Sequence, residues 1–229
     1  MKSVVIIPAF NEEGSIKKVI DDVRSKCPGI DIAVINDGSS DRTAEICRAC
    51  DCPVLDLPVN LGLSGAFQTG IRYAYENGYD AAVQIDGDGQ HEPSYVPGML
   101  EMIENESADV VIGSRFVSEK KPMTARMIGS RLLSFAVKAT TKAVLTDPTS
   151  GMRAYNRKML SVISENINFG PEPDTMAFLI REGAVIKEIQ VKMYERETGV
   201  SYLTPLKSAR YMINMFTSIF FVQFFRSGK

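Results

Sequence analysis

Two aspartates separated by one glycine, with a glutamine two residues further on, form the run Asp86-Gly87-Asp88-Gly89-Gln90. Hard oxygen donors on a glycine-flexible turn suit Mg2+ or Mn2+, ions that keep places for water and substrate phosphates. An isolated Asp-Gly-Asp would be an ordinary turn. Here Asn11-Glu12-Glu13 and Asp37 also follow short apolar runs, and carboxylates gathered at one rim repel unless a cation or polar ligand compensates them. A divalent metal is therefore expected at the Asp86–Gln90 cluster, opposite Asp37. His91 is the chain's one histidine, so no design needing two applies, and it reads as a turn contact. No Gly-x-Gly-x-x-Gly follows the first apolar run and no Gly-x-x-x-x-Gly-Lys-Ser/Thr occurs, which weakens dinucleotide and P-loop readings.

Apolar runs at Ser3–Pro8, Asp31–Asn36, Pro53–Leu57, Ala81–Ile85 and Asp109–Gly113 read as buried strands. Helical patterns lie at Glu13–Lys26, Asp41–Cys50 and Ser64–Asn77, the last closed by Gly78. This alternation predicts an α/β fold with a mostly parallel sheet covered on both faces. Ligands in such sheets bind beyond the C-terminal strand ends, where the acidic residues fall. Ser40 and Asp41 double as helix caps.

The 229 residues are 45% hydrophobic and 24% charged, which excludes a disordered or collagen-like chain. The net charge of -2 hides an asymmetry. Residues 1–114 hold 8 Lys+Arg against 19 Asp+Glu, whereas residues 115–229 hold 18 against 9. One half is suited to managing a cation and the other to meeting an anion. No aromatic-studded basic stripe or finger spacing appears, so nucleic acid is not an expected partner. Cys27, Cys47, Cys50 and Cys52 lack a completing ligand pair and read as reduced structural thiols. The N-terminus lacks a signal-peptide core, and no apolar run reaches the roughly 18 residues of a membrane span, so a cytoplasmic protein is expected.

The blocks VVIIPAFNEEGSI, VINDGSSDRT, NLGLSGAFQTGIRYA, QIDGDGQHEP, IGSRF and DPTSGMRAYNRKML, in this order, resemble the inverting glycosyltransferases of GT-A fold. Among them the chain is most similar to the polyprenyl-phosphate sugar transferases, over about residues 3–201. The resemblance implies that Pro8, Ala9, Asn11, Glu12 and Asp37 hold the base and ribose of a nucleotide-sugar donor. Gly65 would line that pocket, Asp86 and Gly87 would face the ribose, and Asp88 with Gln90 would bind the metal at the diphosphate. Arg115 would meet the phosphates. Gly87 departs mildly from the alanine often found between the two aspartates.

In the second half, Lys120, Lys121 and Lys142 read as solvated. Arg126 and Arg131 differ, because Met127–Val137 is otherwise apolar; arginines there suit an acceptor that is both lipid and phosphate. Ser134 adds a hydroxyl. Asp147-Pro148-Thr149-Ser150-Gly151-Met152-Arg153 reads as a structured turn that the resemblance places beneath the sugar. Glu172 and Asp174 favour a helix N-terminus or face the sugar or acceptor. Arg196-Glu197-Thr198-Gly199-Val200-Ser201 resembles the family's mobile loop over the diphosphate, with Arg196 on the donor side and Ser201 on the acceptor side.

The expectation is metal-dependent, inverting transfer from a nucleotide-diphosphate sugar, UDP-glucose or UDP-N-acetylglucosamine, to a polyprenyl phosphate, with Asp88, Arg115 and Asp174 as catalytic residues. The alternatives are transfer to a sugar hydroxyl in polysaccharide synthesis and a non-catalytic nucleotide-sugar-binding scaffold. A catalytic domain is expected over residues 1–203 and a tail helix over 204–229. Tyr211–Phe225 carries no charge and five of the eleven Phe. At 1.5 Å per residue it spans about 22 Å, short of a hydrocarbon core of about 30 Å. Lys207, Arg210, Asn214 and Thr217 give it a narrow polar stripe. The tail is expected either to lie in the headgroup layer of the inner membrane face or to pack on the core or a second subunit.

Overall fold

A computed structural model describes residues 1–166, 169–195 and 205–222. Seven strands form one sheet: β1 (Ser3–Ala9), β2 (Asp31–Asn36), β3 (Val54–Asp56), β4 (Ala81–Gln84), β5 (Val110–Ser114), β6 (Arg153–Asn156) and β7 (Ile186–Gln190). Their order is β3-β2-β1-β4-β6-β5-β7. All run parallel except β6, which is antiparallel to both neighbours. The helices are α1 (Ile16–Lys26), α2 (Thr43–Arg48), α3 (Gly62–Glu76), α4 (Val96–Glu104), α5 (Ala125–Thr141), α6 (Arg157–Glu165), α7 (Pro173–Arg181) and α8 (Pro205–Thr217).

Alternate strand residues explain the two cores. Val4, Ile6, Ala33, Ile35, Val110 and Ile112 face α3, α5, α6 and α7. Val5, Ile7, Ile32, Val34, Val83 and Val111 face α1, α2 and α4. Both faces of the central strands are dry, so their sequences are continuous apolar runs rather than alternating ones.

Helix starts differ from the periodicity where local bonds intervene. α1 begins at Ile16 because the Glu12 carbonyl accepts from Ser15 and Ile16 in a turn, while Asp41 takes the Glu13 N–H at 3.1 Å. α2 begins at Thr43, whose N–H and hydroxyl both donate to Asp41. α3 starts earlier, at Gly62, whose N–H donates to Asn60 Oδ1.

α8 and the π-helical turn Ser218–Val222 that follows it pack on α5 and α7. Ser218 and Ile219 are buried, while Arg210, Ile213, Asn214, Thr217 and Phe221 are exposed. The inner side of the tail thus joins the core, and Arg210, Asn214 and Thr217 of the polar stripe face out. No helix among the described residues is long and apolar enough to cross a membrane.

Candidate active site

Because β2, β1 and β4 are adjacent and parallel, the turns that follow them meet at one rim. The Asp37 N–H donates to Ala9 O at 2.9 Å and the Gly87 N–H to Pro8 O at 3.2 Å. Asn11, in a left-handed conformation with φ 54°, bonds the second turn three times: its N–H donates to Ser39 Oγ and its Oδ1 accepts from the Ser40 N–H and the Ser40 hydroxyl. Glu12 is buried, with its N–H on Thr43 Oγ1. Ser15 Oγ lies 2.9 Å from Glu12 Oε2 and 2.8 Å from Gly87 O, tying the first turn to the third.

Asp37 is 2% exposed, and its Oδ1 accepts from the Leu61 N–H at 2.7 Å. Burial raises its carboxyl above the usual range, opposed by the Leu61 and Gly62 N–H groups. Gly38 is required beside it: φ is +66°, and a Cβ would stand 2.7 Å from Asn60 N. Gly65 sits in α3 against Leu61, one turn into the helix.

Asp86 Oδ1 accepts from Gln84 Nε2, and the Asp86 N–H donates to His91 Nδ1 at 3.1 Å. The buried His91 is therefore a turn contact whose Nδ1 is an acceptor. Asp88 Oδ1 accepts from the Gln90 N–H, and Gln90 Nε2 donates to Tyr194 O, leaving Oε1 as the amide's acceptor. No three His, Cys, Asp or Glu gather into a metal cluster among the described residues. A carboxylate and an amide oxygen on one turn fit a hard cation that completes its shell with water and substrate oxygens.

The antiparallel direction of β6 brings the loop before it to the same rim. Gly151 presses on Asp86: a Cβ would lie 2.7 Å from Asp86 Oδ2 and 3.2 Å from His91 Cε1. Arg153, wholly buried, anchors this loop through Ser150 O and Pro148 O at 2.9 and 2.7 Å and reaches Glu172 O. The sequence places Arg153 at the end of a structured turn, whereas it is the first residue of β6; an arginine inside a four-residue strand gives no apolar signal.

Arg115, at the end of β5, donates through Nε and Nη2 to both oxygens of the fully buried Asp147, at 2.7 and 2.9 Å. This bidentate pair was not read from the sequence, because its members lie 32 residues apart. Glu188 of β7 accepts the Thr146 and Asp147 N–H groups and holds the same loop.

Asp174, 6% exposed, accepts from Ser218 Oγ through Oδ2 and from the Thr175 N–H through Oδ1. Glu172 accepts from Tyr211 Oη. Burial raises the Glu172 carboxyl above its ordinary range, and the Tyr211 hydroxyl opposes that rise. Both acids are thus held by the tail helix.

Arg131 is exposed on α5; its Nη2 donates to Lys121 O and its Nη1 lies 2.7 Å from Met123 Sδ. Ser134 accepts from Lys121 Nζ at 3.3 Å. Lys120 and Lys142 are exposed, but Lys121 is half-buried, which corrects its reading as a solvated side chain. Arg196 and Ser201 lie outside the described residues, as does the side chain of Arg126 in the first turn of α5.

A family model described as glycosyl transferase family 2 matches residues 4–164, the span that holds every turn of the acidic rim. The chain belongs to glycosyl transferase family 2. It is 34% identical over 216 residues to the undecaprenyl-phosphate mannosyltransferase of Micrococcus luteus, covering 89% of this chain and 88% of that one. It is 33% identical to the UDP-N-acetylglucosamine–dolichyl-phosphate N-acetylglucosaminyltransferase of Methanococcus voltae, covering 71% and 72%. The crystal structure of glucosyl-3-phosphoglycerate synthase from Mycobacterium tuberculosis in complex with Mg2+ and UDP superposes with a TM-score of 0.71 at 23% identity, covering 95% of this chain and 79% of that one. That likeness is one of fold, the GT-A fold expected from the sequence. As a family 2 member the chain is a glycosyltransferase.

Proposed function

We propose that this glycosyltransferase moves a sugar, glucose or N-acetylglucosamine, from its UDP donor to a polyprenyl phosphate, with inversion at the anomeric carbon. The observation that carries the reading is the joining of the β1, β2 and β4 turns by Asp37, Asn11 and Gly87 into one acidic rim, with Asp88 and Gln90 at its edge. The two relatives act on polyprenyl phosphates by name, and the archaeal one names a UDP-sugar, which supports acceptor and donor class.

In this reading Pro8, Ala9, Asn11, Glu12, Asp37, Gly65, Asp86 and Gly87 hold the nucleoside. Asp88 and Gln90 hold Mg2+ or Mn2+. A divalent cation there supplies positive charge to the departing diphosphate. Arg115, oriented by Asp147, presents its remaining N–H groups to the same phosphates, and charge stabilised as it develops is the main electrostatic task. Arg196 completes the donor side. Arg126, Arg131, Ser134 and Ser201 serve the acceptor.

A phosphate monoester loses its second proton near pH ~6, so at neutral pH it attacks without a general base. Asp174, bonded by Ser218, and Glu172, bonded by Tyr211, are then not needed as bases, so this reading withdraws the catalytic role expected of Asp174 and keeps both as base candidates only for a hydroxyl acceptor. Removing a general base costs roughly 100- to 10,000-fold. Asp174→Asn and Glu172→Gln should therefore each keep transfer within about tenfold at unchanged UDP affinity. A loss of a thousandfold or more with intact UDP binding would favour a hydroxyl acceptor instead.

We place the enzyme peripherally on the inner membrane face. Ile128, Leu132 and Phe135 recur along one exposed side of α5, and Ile213 and Phe221 of the tail are exposed as well. Apolar groups of this kind beside Arg131 and Arg210 suit a headgroup layer; a second copy of the chain meeting there is the competing occupant.

A further inference from the structure

Lys121 is an ammonium taken partly out of water with hydroxyls as its bonded partners. Its Nζ donates to Ser130 Oγ at 2.8 Å and to Ser134 Oγ at 3.3 Å, and it lies 5.4 Å from the Phe116 ring centroid. Ser130 is 4% exposed, and its hydroxyl is 3.5 Å from Thr149 Oγ1 in the loop beneath the sugar. The acids around it are engaged elsewhere. Asp147 takes the fork of Arg115, and Glu188 takes two backbone N–H groups. Counting Arg115, Arg131 and Lys121 against Asp147 and Glu188, the cluster carries one uncompensated positive charge. Burial pulls Lys121 below the ordinary lysine value, and the nearby Arg115 and Arg131 add to that against Asp147 and Glu188. A cation left in this state gains most from an anion brought to it.

Arg131 stands differently. Its guanidinium bonds the carbonyl of Lys121 and the sulfur of Met123, so it fixes the segment that carries Lys121. Ser130 and Ser134 accept from Nζ and so can each give their own proton to an oxyanion.

We propose that Lys121, seated on Ser130 and Ser134, is the group that receives the phosphate monoester of the acceptor, and that Arg131 is a positioning residue behind it. The proposal rests on the acceptor reading above and assigns its cation. The acceptor reading makes this monoester lipid-borne, and a soluble monoester is the alternative source that the test sets against it.

The test measures initial transfer rates for the wild type, Lys121→Met, Lys121→Arg and Arg131→Lys. The acceptors are undecaprenyl phosphate in detergent micelles and 3-phosphoglycerate as a soluble monoester, with UDP affinity measured by calorimetry as the donor control. One lost charge-assisted hydrogen bond corresponds to about tenfold or more. Lys121→Met should raise the KM for undecaprenyl phosphate at least about tenfold with UDP affinity within about twofold. Lys121→Arg should recover part of that loss, and Arg131→Lys should raise KM less than Lys121→Met does. An unchanged KM in Lys121→Met, with the wild type active on undecaprenyl phosphate, overturns the Lys121 assignment alone. A wild type inactive on both monoesters overturns the acceptor reading as well. Lys121-dependent transfer to 3-phosphoglycerate but not to the lipid overturns the lipid-borne source.

Discussion

The acidic rim and the basic second half hold their side chains by different means. At the rim the bonds run between turns on adjacent strands and end largely on backbone: Asp37 on Leu61 N–H, Asn11 on Ser40 N–H, Asp88 on Gln90 N–H. Across the sheet, side chains hold one another over long sequence gaps: Arg115 with Asp147, Tyr211 with Glu172, Ser218 with Asp174. The first kind forms once β1, β2, β3 and β4 lie side by side and their turns meet. The second kind exists only after α5, β6, α7 and the tail have docked. In the proposed reading the nucleoside side of the site would thus rest on strand pairing in the first half, and Arg115 and the acceptor side on the docking of the second.

Breaking the second kind should have the larger effect. Asp147→Asn leaves the Arg115 guanidinium beside a neutral amide in a fully buried position, and losing one member of a buried pair costs about 3 kcal/mol or more. For a chain of this size that is a fall in Tm of roughly 6–12 °C. Differential scanning calorimetry checks it, and transfer should fall with it because Arg115 loses its orientation. A shift under about 2 °C would mean that the pair is not what fixes this side.

The smaller effect belongs to the first half. Burial raises the Glu92 carboxyl, but bonds from Lys26 and Ser94 outweigh that and hold it at about 2, against 4.5 for a free side chain. Its folded value is depressed, so its stabilisation is complete above about pH 4.5 and is lost as pH falls from there towards 2. The pair is partly solvated, and its contribution is about 1 kcal/mol or less. Glu92→Gln should therefore lower Tm slightly at neutral pH and flatten its decline between pH 5 and 2. Parallel Tm–pH curves for the two proteins would contradict this.

The same contrast explains what the amino-acid sequence revealed. Apolar runs with turn residues located β1, β2, β4 and β5 to within a residue or so, and with them the turns of the rim. β6 and β7 escaped, the first because buried Arg153 sits in four residues and the second because consecutive Lys187 and Glu188 stand between its two isoleucines and break the period of two. Lys121 read as solvated because nothing in its neighbourhood in sequence announces Ser130 and Ser134 as partners. The tail read as a choice between core and surface, and the structure shows why: Ile219 is buried while Ile213 and Phe221 are exposed.

The central claim is sugar transfer to a polyprenyl phosphate at a metal-bearing acidic rim. Its most direct test is mass spectrometry of lipid products after incubating the full chain with undecaprenyl phosphate and a panel of UDP- and GDP-sugars, with and without EDTA. The account predicts undecaprenyl phosphate carrying one added sugar from a UDP donor, absent when EDTA is present and absent for Asp88→Asn. Full product formation in EDTA would contradict the role given to Asp88 and Gln90. Sugar appearing on hydroxyl acceptors alone would contradict the reaction itself.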